Sequence, residues 1–228
     1  MTVPFAILFD MDGTLLQTEK LSTPAFIRTF DQLRQKGLWQ GETPDERELI
    51  NVLGMTIEQI WDKLLPGASE EAIRSADAFL LDNEIQLLKE RVTELYPDVK
   101  STLETLREKG FALFVASNGQ EEYIDAICEA YELKPLMTDL YSAGRFRTHS
   151  KNDLVAKLLS DYKIGQAIMV GDRHSDVEAG KTNALFTIGC DFGFAKPGEL
   201  DGADVIITSF TQLLNHLPAI DTNTQEQT

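Results

Sequence analysis

Five short runs of mostly apolar residues punctuate the chain: Phe5–Phe9, Phe111–Ala116, Ala167–Val170, Leu185–Ile188 and Val205–Ile207. Apolar stretches this short, without polar alternation, suit strands buried on both faces of a parallel sheet. Each has a helix-like segment before or after it. From residue 98 onward the alternation of strand and helix predicts a doubly wound α/β layer.

Residues 15–95 break that rhythm, because no strand-like run occurs there and helix-start signals do. Thr43-Pro44-Asp45-Glu46 offers an N-cap, a proline at the first helical position and a glutamate three residues past the cap. Thr56-Ile57-Glu58-Gln59 repeats the device, Pro66-Gly67 ends one helix, and Ser69-Glu70-Glu71 opens a longer one running to about Arg91. The pattern predicts an all-helical insertion after the first strand, with solvated acidic faces around a small apolar core. Asp221–Thr228 is short and polar and reads as a frayed tail.

Charge narrows the partners. The 228 residues carry 37 acidic and 21 basic side chains, a net of −16. A field of that sign repels nucleic acid polymers and anionic membrane surfaces. Between Glu42 and Glu94 there are 13 acidic and 5 basic side chains, so half of the net charge lies in the helical insertion. An apolar content of 43% with 25% charged residues is that of a folded globular protein. Cys128 and Cys190 sit in apolar surroundings with no second ligand at metal-binding spacing, which predicts buried free thiols. Met1-Thr2-Val3-Pro4 lacks a basic leader and no apolar run is long enough to span a bilayer, so the expectation is a soluble, cytoplasmic protein.

The chemistry concentrates where strands end. Asp10-Met-Asp-Gly-Thr-Leu15 follows the first strand directly, and two carboxylates two residues apart can point the same way there. Ligands of open α/β sheets bind beyond the carboxyl ends of the strands. Phe111–Ala116 ends in Ser117-Asn118-Gly119, small donors whose amides could cradle a phosphate. Ala167–Val170 ends in Gly171-Asp172-Arg173-His174-Ser175-Asp176, and Lys151 precedes a helical pattern between the two. Arg173 and His174 read as parts of an exposed loop without a chemical role.

This ordered set resembles the haloacid dehalogenase superfamily, in its branch of small phosphatases similar to phosphoglycolate phosphatase and β-phosphoglucomutase. The resemblance spans about residues 5–215. It implies a Rossmann-like α/β core, residues 1–14 and 96–217, with a helical cap inserted at residues 15–95 and a tail at 218–228. The implied activity is a Mg²⁺-dependent phosphatase acting on a small phosphorylated metabolite. By resemblance, Asp10 is the nucleophile that forms an aspartyl-phosphate, and Asp12 the general acid and then base. The implied metal ligands are Asp10, the backbone carbonyl of Asp12, and Asp172. Ser117, Asn118 and Lys151 would bind the phosphoryl group, Asp176 would orient Lys151 or bind a metal water, and the loop Gly54-Met55-Thr56 would set substrate choice.

Asp12 favours phosphoryl transfer over the C–Cl and C–P cleavage of relatives that lack an acid at that place. The mutases of this branch carry a histidine where this chain has Ser22 and an arginine where it has Ile57, and both departures argue against a sugar-phosphate mutase. Gln17 also departs from the family pattern, which has Asp there. A nucleotidase, a pyrophosphatase and a non-enzymatic regulatory protein on the same fold are the further alternatives. The oligomeric state is open.

Overall fold

The computed structural model describes residue 3, residues 5–193 and residues 195–218. The tail read as frayed, residues 221–228, lies outside them. Six parallel strands form one sheet in the order β3-β2-β1-β4-β5-β6. Strand β1 (Ala6–Phe9) sits between β2 (Ala112–Ser117) and β4 (Ala167–Gly171), with Ala6 opposite both Ala112 and Ala167. Strands β5 (Phe186–Cys190) and β6 (Val205–Ile207) extend one edge and β3 (Asp139–Ser142) closes the other.

The continuous apolar character of β1 follows from its two covered faces. Ile7 and Phe9 join one apolar cluster with Leu103 and Leu106 of α5 (Val99–Glu108) and Tyr123 and Ile127 of α6 (Glu121–Ala130). Ala6 and Leu8 join the opposite cluster with Leu154 and Leu158 of α8 (Lys151–Asp161) and Ala179 of α9 (His174–Thr182). Side chains alternate along a strand, so neither face tolerates a polar residue. A short helix, α7 (Ala143–Phe146), links β3 to the segment before α8.

Between β1 and α5 the chain forms α1 (Glu19–Gln35), α2 (Glu46–Ile50), α3 (Ile57–Leu64) and α4 (Glu70–Lys89), with no strand. Helix α2 starts two residues later than the sequence predicts: the cap is Asp45, not Thr43. Asp45 accepts from the amide of Glu48 at 2.9 Å while Glu48 accepts from the amide of Asp45 at 3.1 Å. A reciprocal pair of this kind outweighs a threonine followed by proline. Ser69 caps α4 as expected, its hydroxyl accepting from Ala72, and the helix ends at Lys89 rather than Arg91, which has a positive φ of 56°.

The insertion does not enclose a separate small core. Phe26 and Phe30 of α1, Trp61 of α3 and Leu80 of α4 belong to the same apolar cluster as Ile7 and Phe9 of the sheet. Helix α4 packs on α6 as well as on α1, and that contact joins the two regions. The two chain crossings between sheet and insertion are tied together: Gln17 donates through Nε2 to the Leu95 carbonyl at 3.0 Å, and Thr93 donates to the Gln17 carbonyl at 2.7 Å. Gln17 therefore does structural work where the family pattern has an aspartate. Among the described residues no helix is long and apolar enough to cross a membrane, and Cys128 and Cys190 are buried free thiols.

Candidate active site

Asp10 follows the last residue of β1, and its amide donates to the Val170 carbonyl of β4 at 2.9 Å, which fixes it at the strand ends. Ser117 ends β2, Asp172 follows the end of β4, and Lys151 is the first residue of α8. The fold brings these four together although they are far apart in sequence. Asp10, Ser117, Lys151 and Asp172 are all buried, as is Asp176 in the first turn of α9.

Lys151 is the centre of the charge arrangement. Its Nζ lies 2.6 Å from Asp10 Oδ1 and 2.6 Å from Asp176 Oδ1. Asp176 uses its other oxygen to accept from the Arg173 amide at 2.9 Å, closing the start of α9. Burial disfavours charge on Lys151, yet Asp10 and Asp176 outweigh it and hold the ammonium above its ordinary range. Burial also pushes Asp10 up to about 7, with Asp176 adding to the rise and Lys151 opposing it. Asp172 is raised strongly for the same first reason, burial, against the pull of Arg173.

These carboxylates fit a hard divalent cation. Asp10, Asp172 and Asp176 each offer an oxygen within 4.8 Å of the others. Asp10 Oδ2 and Asp172 Oδ2 are buried without a hydrogen-bond partner among the described residues. Buried carboxylate oxygens without a hydrogen bond are costly, although Asp172 Oδ2 has the Arg173 guanidinium 3.2 Å away, and an all-oxygen donor set is what Mg²⁺-type ions take. Gly13 maintains the cradle: it has a φ of 80°, and a Cβ at that position would collide with the Asp172 carboxylate.

Asp12 faces a different environment. Its Oδ1 accepts from Thr18 Oγ1 at 2.7 Å and from Tyr123 OH at 2.8 Å. Burial raises its pKa while the two donors pull it down. Ser117 Oγ accepts from the Gly119 amide at 3.1 Å, which leaves its own proton free to donate. Asn118 donates through Nδ2 to the Gly54 carbonyl at 2.8 Å, joining the end of β2 to the loop before α3. Gly54 and Met55 line one cavity with Asp10, Asp12, Ser117 and Tyr123, whereas Thr56 is buried as the residue capping α3 and lies outside that lining.

The family model of the haloacid dehalogenase-like hydrolases matches residues 7–190. The chain belongs to this family. It is 27% identical over 228 residues to a phosphoglycolate phosphatase of Aliivibrio fischeri, covering 91% of this chain and 94% of that protein. It is 22% identical over 178 residues to the pyrophosphatase PpaX of Bacillus cereus, covering 77% of each. Among solved structures, CbbY from Rhodobacter sphaeroides superposes with a TM-score of 0.78 at 23% identity, covering 91% of this chain and 95% of that one; a mutant of it was crystallised with Xylulose-(1,5)bisphosphate. At that identity the likeness is one of fold.

Within this haloacid dehalogenase-like hydrolase, three side chains depart from the sequence-based picture. Arg173 is not part of an exposed loop: its guanidinium Nε lies 3.2 Å from Asp172 Oδ2, and the side chain is only 12% exposed. It lies against Gly54, whose φ of 86° and missing Cβ, which would sit 3.1 Å from Arg173 Cγ, allow the approach. His174 is exposed as expected. Tyr123 and Glu84 are additions, both lining the cavity beside Asp12. A buried tyrosine needs a partner for its hydroxyl, so Tyr123 left a signal in the sequence, whereas Glu84, half-buried on α4, left none.

Proposed function

We propose that this hydrolase is a Mg²⁺-dependent phosphatase of a small phosphomonoester, acting through an aspartyl-phosphate on Asp10. The observation that carries the reading is the Lys151 ammonium 2.6 Å from Asp10 inside a buried carboxylate cluster at the strand ends. Carboxylates are weak nucleophiles, so such a site works by positioning and charge neutralisation. Mg²⁺, held by Asp10, Asp172 and the backbone carbonyl of Asp12, supplies charge neutralisation at the phosphoryl group when bound.

The chain's own residues divide the remaining work. Lys151 orients Asp10 through Oδ1 and, with the free hydroxyl proton of Ser117, offers positive charge to the phosphoryl oxygens. Asp10 attacks phosphorus, the P–O bond to the alcohol breaks, and protonated Asp12 gives its proton to the leaving alkoxide. Asp12 then takes a proton from the water that attacks the aspartyl-phosphate, releasing inorganic phosphate and restoring Asp10. The raised pKa of Asp12 suits the first duty, and its ionised form, held by Thr18 and Tyr123, suits the second. Asp176 positions Lys151, accepting from its ammonium through one oxygen and from the Arg173 amide through the other.

In this reading residues 15–95 are a cap that shields the site from water, and residues 1–14 with 96–217 are the catalytic core. Ser22 and Ile57 leave the cavity without the charged groups of the mutases, which favours hydrolysis over mutase chemistry. The buried free thiols suit a reducing compartment, the cytoplasm. The test is hydrolysis of p-nitrophenyl phosphate with Mg²⁺. Asp10→Asn is expected to lower kcat by at least about a thousandfold, and a chelator to abolish turnover. A mutant as active as the native protein would overturn the reading.

A further inference from the structure

Glu84 lines the cavity that holds Asp12, yet it belongs to α4 of the insertion. Its neighbour Asn83 is engaged in structure through Nδ2, donating to Thr29 Oγ1 at 3.1 Å and to Gln32 Oε1 at 2.9 Å. Glu84, by contrast, has no hydrogen-bond partner among the described residues. Burial, with the Asp12 carboxylate adding to it, pushes Glu84 well above the ordinary carboxylate range. The side chain is half-buried, so its carboxylate opens to the cavity without a donor from the protein, and a donor on a ligand there would pair it.

The rest of the cavity sharpens which ligand this is. Phe26, Leu53, Ile57, Ile60 and Leu80 supply apolar walls, and no lysine or arginine occurs among the described lining residues. The cavity is small, about 60 Å³, which suits a leaving group of a few heavy atoms. A second anionic group there would face Asp12 and Glu84 without a counterion in a low-dielectric space. Lys63, Arg173 and Lys196 line a neighbouring cavity on the Lys151 side, which shares Leu53, Gly54, Met55 and Asn118 with this one but whose described lining includes neither Asp12 nor Glu84.

We propose that Glu84 is the specificity-determining residue for the leaving group, selecting phosphomonoesters of small alcohols that carry an ammonium or hydroxyl donor and rejecting those with a second anionic group. The inference rests on the phosphatase reading, and its test separates the two. Specificity constants would be measured for p-nitrophenyl phosphate, O-phosphoethanolamine, glycerol phosphate and 2-phosphoglycolate, with the native protein, Glu84→Gln and Glu84→Lys. Circular dichroism and thermal unfolding check that both variants are folded.

The native protein is expected to favour at least one donor-bearing substrate over 2-phosphoglycolate by about tenfold or more. Glu84→Gln should shrink that ratio about tenfold, and Glu84→Lys should invert it. Whichever donor substrate leads identifies the donor, ammonium or hydroxyl. A native preference for 2-phosphoglycolate, or variants that alter all four substrates equally, would overturn the assignment while leaving the phosphatase reading intact. Absence of Asp10-dependent p-nitrophenyl phosphate hydrolysis would instead bring down that reading, and the Glu84 assignment with it.

Discussion

At the ends of β1 and β4, Asp10, Asp172 and Asp176 are shielded from water and share two cations, Lys151 and Arg173. In the helical insertion, Glu70 and Glu90 meet Arg74 and Arg28 on the open surface, where all four side chains are well exposed. The same residue types thus give opposite behaviour. Buried carboxylates lose hydration and rise in pKa, so they respond strongly to a cation or proton; solvated ones are screened and contribute little. The net charge of −16 therefore says little about the site. What matters is which carboxylates lose water, and within the insertion the half-buried Glu84 is raised by burial in the same direction as those at the strand ends.

That contrast can be broken first at Lys151. Lys151→Met leaves Asp10 and Asp176 buried without their ammonium, so unfolding free energy should fall by about 3–5 kcal/mol and p-nitrophenyl phosphate turnover by about a thousandfold. Urea unfolding and steady-state kinetics check both, and an unchanged denaturation midpoint would show that the buried pair is not holding the site together. Tyr123→Phe is expected to have a smaller effect. It removes one of two donors that favour ionised Asp12, so Asp12 holds its proton to higher pH and the alkaline limb of kcat/KM moves upward. Turnover at neutral pH should change by no more than about tenfold, and a pH–rate profile reads the sign directly. At the solvated extreme, Arg74→Ala should change stability by less than about 0.5 kcal/mol, because its partner Glu70 lies one turn away in water.

The motif residues were legible because their positions are set locally. A continuous apolar run predicts a buried strand, and the next residue then stands at the sheet edge where ligands bind, so Asp10, Ser117 and Asp172 could be placed from short segments alone. Strand β3 was not legible, since Asp139-Leu-Tyr-Ser142 lacks an apolar run. It is an edge strand with one neighbour, fixed by pairing of Val115 with Leu140 and Ser117 with Ser142. The start of α1 was hidden for another reason. Thr18 stands at the cap position, but its hydroxyl goes to Asp12, and Pro24 interrupts the helical pattern. Arg173 and Glu84 depend on contacts between the insertion and the sheet, which no local pattern encodes.

Asp176 divides its carboxylate between the first turn of α9 and the Lys151 ammonium, and it is completely buried. One side chain thereby makes the beginning of a helix and the charge state of the reaction centre a single inheritance. A lineage that discarded the lysine would leave an unmatched charge under its own helix, while exchanges such as Ser22, Ile57 or Glu84 touch only the walls around the leaving group. New substrate preferences are therefore open to gradual change one wall residue at a time, and the phosphoryl end is not.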